Sequence, residues 1–122
     1  MSSEDLHIVF IQEQAGKMEI SNIFDSIPEN LDKEAFKLII QDGDVKIERI
    51  ISKGQVSPAS GWYDQAQNEW VLVLKGEAIL AFSGSEDVKL TPGCHINIPA
   101  HTKHKVKWTD PETETIWLAV HY

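Results

Sequence analysis

Glu69-Trp70-Val71-Leu72-Val73-Leu74-Lys75-Gly76 and Gly93-Cys94-His95-Ile96-Asn97-Ile98-Pro99-Ala100-His101-Thr102-Lys103-His104 are the two phrases that decide the fold. Each reads as a short strand closed by turn residues, and each sets one polar, metal-competent side chain among apolar neighbours. Beyond the second phrase, Lys103, Lys105 and Lys107 alternate with His104, Val106 and Trp108. Successive strand side chains point to opposite faces, so lysines facing outward turn His104, Val106 and Trp108 inward. An imidazole on an apolar interior wall is the first sign of a site.

Working outward, the same strand-and-turn rhythm continues. Ala78 to Phe82 reads as the partner of the first phrase across the Lys75-Gly76-Glu77 turn. Gly84 to Asp87 is a turn, Val88 to Leu90 a strand, and Pro92-Gly93 a turn again. Ile116 to His121 is a last strand, with Ile116, Leu118 and Val120 on one face and Trp117, Ala119 and His121 on the other. Upstream, Phe36 to Ile40 and Val45 to Ile51 flank Asp42-Gly43 and predict a hairpin. Ser26-Ile-Pro-Glu29 has the form of a helix start, which predicts one or two helical turns through about Ala35. Met18 to Ile23 reads as a further short strand, and Leu6 to Ile11 as an edge strand or apolar arm. Some nine short strands with Gly and Pro punctuation predict an all-β sandwich or small barrel. The expected division is an N-terminal arm and helical segment over 1–35 and a barrel over 36–122, within one domain.

Composition narrows the function classes. The 122 residues suffice for one hydrophobic core. A net charge of −8 argues against nucleic-acid and anionic-membrane partners, which demand basic patches. The single cysteine, Cys94, cannot form an internal disulfide and fits a reducing compartment. The first residues, Met-Ser-Ser-Glu-Asp-Leu, carry acids where a secretory signal needs bases, and no apolar run approaches about 18 residues. The expectation is a cytoplasmic protein with a small-molecule ligand.

At this point the residues carry a family likeness. Glu69 and Gly76 have the glutamate–glycine spacing of the first cupin motif, and Gly93, Pro99 and His104 match the second, with His101 where its second glycine would stand. The chain therefore resembles a cupin, a jelly-roll barrel. It is also similar to a group of small bacterial cupins that carry Trp-Tyr-Asp-Gln before Glu-Trp and end in Trp-Leu-Ala-Val-His. The resemblance implies a divalent metal (Fe, Mn, Zn or Ni), which cupin enzymes hold with two first-motif histidines, the glutamate and the second-motif histidine. Here the paired histidines are replaced, by Trp62 and Asp64 in one register or by Tyr63 and Gln65 in the other. Only Glu69 and His104 carry over by identity, and the metal set the resemblance implies is Glu69 and His104 helped by Asp64 or Gln65.

The bare residues leave alternatives open. His104 reads as a buried histidine bonded to Glu69 or Tyr63, or as a metal ligand. Glu69 sits among Val71 and Val73, so it needs a partner, a raised pKa or exposure at the rim. Together the two serve as ligands or as general base and acid. Asp64 reads as a hard oxygen donor or a turn residue, and His101 as a ligand or an exposed loop histidine. Trp62, Trp108 and His101 are candidate pocket residues, while His95 and His121 fall on polar-facing positions without a role. No nucleophile elbow or phosphate loop is present, and Cys94 has no adjacent cation to activate it.

Three functions follow as expectations. The first is a metal-dependent cupin acting as an oxygenase or isomerase on a small polar molecule. The second is a metal-free module binding a sugar or small acid through Tyr63, Gln65, Glu69 and His104. The third is metal-free acid–base chemistry of the epimerase kind, with His104 as base and Tyr63 as acid. The apolar arm Ile8 to Ile11 offers strand material for a homodimer.

Overall fold

The computed structural model describes residues 18–122. Its elements are β1 (Ala35–Asp42), β2 (Val45–Ser52), β3 (Glu69–Lys75), β4 (Ala78–Phe82), β5 (Val88–Leu90), β6 (His95–Ile98), β7 (His104–Thr109) and β8 (Thr115–His121). They form a five-stranded sheet in the order β1-β2-β8-β3-β6 facing a three-stranded sheet in the order β5-β4-β7. Every named pairing is antiparallel. The strand spacing predicts an all-β sandwich or barrel, and the cupin resemblance implies its jelly-roll form. The expected pairing of Ala78 to Phe82 with the first phrase is corrected: β3 pairs with β6 and β8, while β4 pairs with β5 and β7 in the other sheet, so the Gly76 turn carries the chain from one sheet to the other. The arm Leu6 to Ile11 lies outside the described residues.

The β1–β2 hairpin turns on Gly43-Asp44, with Asp42 opposite Val45 and Gly43 at φ 55°. A positive φ at the first of two loop residues suits the strand twist and favours glycine there. Val71, Val73, Ala78, Leu80, Leu90, Ile98, Trp117 and Ala119 pack between the two sheets as the core. Val71, Leu80, Ile98 and Trp117 of this core also line a cavity between the strands.

Two expectations for the N-terminal part are corrected. Residues 26–34 form bends and irregular backbone rather than a helix, and Met18 to Ile23 forms no strand. Two asparagine side chains accept backbone N–H groups two residues on, Asn22 from Phe24 and Asn30 from Asp32, in competition with helical bonding. The segment's carbonyls are also claimed from outside. The buried Arg49 donates to the carbonyls of Ile23, Asp25 and Ser26, and Gln55 donates to that of Leu31. So short a helix has little cooperativity to set against those bonds.

One irregularity positions the site. Leu80 pairs with Val106 but Ile79 pairs with Trp108, so Lys107 is an extra residue in β7. Such a bulge reverses the inside–outside phase beyond it. Phe82 and His104 lie opposite each other on the inner face, as do Leu80 and Val106, and then Ala78 and Thr109. Thr109 is buried and Trp108 moves to the outer face beside Ile79. The expectation that Trp108 shares the face of His104 is corrected for this reason.

Candidate functional site

The cavity has a volume of about 210 Å³. Its walls are mostly apolar, among them Phe36, Ile50, Val71, Leu80, Val106 and Trp117. The polar groups reaching it are Glu34, Glu48, Ser57, Tyr63, Gln65, Glu69, His104 and His121. Four of them, Glu48, Glu69, His104 and His121, arrive from paired strands, and Glu34, Ser57, Tyr63 and Gln65 come from the connecting segments. In β8, Trp117, Ala119 and His121 face inward; opposite His121 stands Glu69, the first residue of β3, and Glu48 comes from β2.

Glu69 and His104 share this hollow. His104 Nε2 lies 3.6 Å from Glu69 Oε1, with both side chains largely buried. His104 Nδ1 lies 2.7 Å from the carbonyl oxygen of Thr102. A carbonyl only accepts, so Nδ1 carries a proton and donates it. Nε2 then faces a carboxylate, and two lone pairs would repel unless a proton sits on Nε2 or on Glu69. The Glu69 carboxylate raises the His104 pKa above the ordinary imidazole value. Burial opposes that shift, and the Thr102 carbonyl reinforces it. The imidazole and the carboxylate thus face each other inside a mostly apolar cavity, and the carboxylate favours the protonated imidazole.

A second pair adjoins the first. His121 Nε2 lies 3.0 Å from Glu48 Oε1 and 3.5 Å from Glu69 Oε2, so Glu69 is flanked by both histidines. Glu34 at the rim accepts a hydrogen bond from the Ser52 hydroxyl, and burial raises its pKa despite that bond. Glu34, Glu48 and His121 are absent from the sequence-based set. The signal for His121 is its phase with Trp117 and Ala119, but β8 is central in its sheet and apolar on both faces, so alternation alone does not say which face is inside.

The structure decides the first-motif register. Tyr63 and Gln65 line the cavity, whereas Trp62 and Asp64 do not. Tyr63 and His104 exchange backbone hydrogen bonds of 2.8 and 3.1 Å, which fixes the parity of the loop. Trp62 therefore stacks outside under the Lys105 ammonium, 4.5 Å from its ring centroid. Asp64 Oδ1 lies 2.8 Å from His101 Nδ1, with both residues exposed. Trp62, Trp108 and His101 are thus outside the cavity they were expected to line, and Asp64 is turned from Glu69 and His104. His101 has φ 62°, the left-handed backbone for which the second motif carries glycine. His101→Gly is expected to leave cavity binding unchanged and to shift stability by no more than about 1 kcal/mol, backbone relief offsetting the lost Asp64 contact. Thermal unfolding and a binding titration check both halves.

The residues do not supply a full cupin metal set. Of the four family positions, Glu69 and His104 keep strong donors, while Tyr63 and Gln65 offer weak ones. Among the described residues no three His, Cys, Asp or Glu side chains are arranged to hold a metal ion. Sites for these metals use three or more protein ligands. Here the carboxylates and imidazoles are turned toward one another instead.

Comparison with known proteins bears on the fold and the family. The cupin domain model matches residues 48–121. No curated protein sequence matches the chain. Among solved structures, a provisionally named mannose-6-phosphate isomerase from Ralstonia eutropha is 41% identical, with TM-score 0.82, over 85% of this chain and 97% of that one. A cupin superfamily protein from Desulfitobacterium hafniense shares the fold at 19% identity and TM-score 0.64, over 78% of this chain and 82% of its own. A protein from Thermus thermophilus does so at 22% identity and TM-score 0.69, over 85% and 96%. No helix among the described residues is long and apolar enough to cross a membrane. With its match spanning both motifs and its two sheets enclosing the Glu69–His104 hollow, the chain belongs to the cupin family.

Proposed function

We propose that this cupin is an isomerase-like enzyme that moves a proton on a small hydroxy-carbonyl compound without a metal. The single observation that carries the reading is the approach of His104 Nε2 to Glu69 Oε1, 3.6 Å apart in the cavity. In this chemistry a base removes the proton next to a carbonyl while an acid stabilises the charge growing on the carbonyl oxygen. The Glu69 carboxylate is the base and the His104 imidazolium N–H is the donor to that oxygen. Thr102 holds His104 in orientation through Nδ1, and His121 holds Glu69 from the other side. Tyr63 and Gln65 orient the bound molecule. The 41% identity to the provisionally named isomerase from Ralstonia eutropha supports the same reaction class.

The test is exchange of the carbon-bound proton next to the carbonyl with deuterium oxide, followed by NMR on a panel of aldoses, ketoses and smaller hydroxyketones. Exchange that survives exhaustive chelation supports the reading. Exchange lost on chelation and restored by a divalent ion, with the ion released by Glu69→Gln, replaces it with the metal-dependent one. No exchange with any compound removes it.

We also propose a homodimer built on β1. This edge strand leaves Phe36, Leu38, Ile39 and Ile40 between 44% and 62% exposed, an apolar edge of the kind a second copy covers. Sedimentation is expected to give twice the 13.8 kDa chain mass, and Leu38→Lys with Ile40→Lys to give the single chain.

A further inference from the structure

The cavity's charge inventory is one-sided. Three carboxylates, Glu34, Glu48 and Glu69, reach it, and among the described residues no lysine or arginine lines it. The chain's one arginine, Arg49, spends its guanidinium on carbonyls of the N-terminal segment. The Lys46 ammonium, 3.7 Å from Glu48 Oε2, is half-exposed and already paired. The basic groups that do line it are His104 and His121, each held against a carboxylate. A phosphate dianion placed here meets three acids and none of the guanidinium or ammonium groups that phosphate sites use.

The walls point the same way. Phe36, Tyr63 and Trp117 give flat apolar surface. The volume of about 210 Å³ lies below the range for drug-sized ligands, which limits the guest to roughly one small ring or its open chain. Glu48 and Glu69 are engaged by histidines, so no free pair of carboxylates waits for an ammonium.

We propose that the cavity takes an uncharged polyhydroxy-carbonyl compound the size of one unphosphorylated sugar, and that Glu34 and Glu48 select against phosphate esters and other anions. The proposal rests on the isomerase-like reading for the carbonyl, while its charge selectivity stands on the lining alone. It separates this chain's ligand from the phosphate ester that the name of its Ralstonia eutropha relative carries.

Calorimetric titration with mannose, mannose 6-phosphate and mannosamine tests it, with proton exchange measured on the same samples. Mannose is expected to bind about tenfold or more tightly than its 6-phosphate, and Glu34→Gln to narrow that gap. Tighter binding of the 6-phosphate, weakened by Lys46→Met, overturns the proposal. Tighter binding of mannosamine overturns it in favour of a cationic ligand, and binding of none of the three overturns the sugar class. Mannose bound with the expected preference but without exchange upholds the ligand class and removes only the isomerase-like chemistry.

Discussion

Glu69→Gln is expected to lower the exchange rate by about 10²- to 10⁴-fold while leaving the fold intact, because it removes the base and keeps its shape. His104→Gln is expected to lose a similar factor by removing the acid. The double variant should lose little more than either single one, since the residues act as a unit. The pH profile carries a sharper signature. Activity requires a protonated His104, so the rate carries a limb set by that group. On the alkaline side it falls above the ordinary imidazole pKa, because the Glu69 carboxylate has raised that of His104. Stability follows the same group. A pKa raised on folding contributes stability that is fully present below the unfolded value of about 6.5 and lost as pH rises through the folded value. Wild type should therefore exceed Glu69→Gln in thermal stability at pH 6, with the gap closing toward pH 9. A gap that stays constant with pH would show that Glu69 and His104 are not electrostatically coupled.

Gly76→Ala is expected to be the most damaging single-methyl addition in the described chain, lowering stability by about 3 kcal/mol and Tm by roughly 10 °C. Two effects coincide at Gly76. Its φ of 80° is disfavoured for any side chain, and an added Cβ would lie 2.6 Å from both the Glu114 carbonyl oxygen and the Thr115 Cα, and against the Thr115 hydroxyl. Those atoms are backbone or a fully buried threonine at the start of β8, so nothing can swing aside. Gly84, with φ 79° and open space around it, isolates the backbone term. Gly84→Ala should cost only about 1 kcal/mol. Comparable losses at the two positions, read from denaturant unfolding, would refute the packing argument. The glycine that ends the first motif is thus fixed by the close passage of β8 over the β3–β4 turn.

The candidate site was partly legible in the chain. Period-two alternation and turn residues were enough to draw β1 through β8, because each strand's local chemistry agrees with its place in the sheets. The two motif positions were enough to place Glu69 and His104 in one hollow, since each begins a strand whose inner face is apolar. Alternation also put Trp117 and His121 on one face. What it lacked was any indication that this face, on a strand apolar on both sides, is the one that closes the site.

The linear order alone determined that the chain is a small cupin barrel with an imidazole and a carboxylate turned inward. Only the tertiary structure decided the rest of the lining. The Lys107 bulge carried Trp108 outward, the bridge between Tyr63 and His104 chose the loop's parity, and Asp64 was drawn off to His101. Pairing across the sheet brought Glu48 and His121 to Glu69 from distant parts of the chain. The physical reason is common to all of these. Side-chain direction along a strand is a local property, whereas the offset of one strand against another, and which face becomes covered, are fixed only when the strands hydrogen-bond and pack.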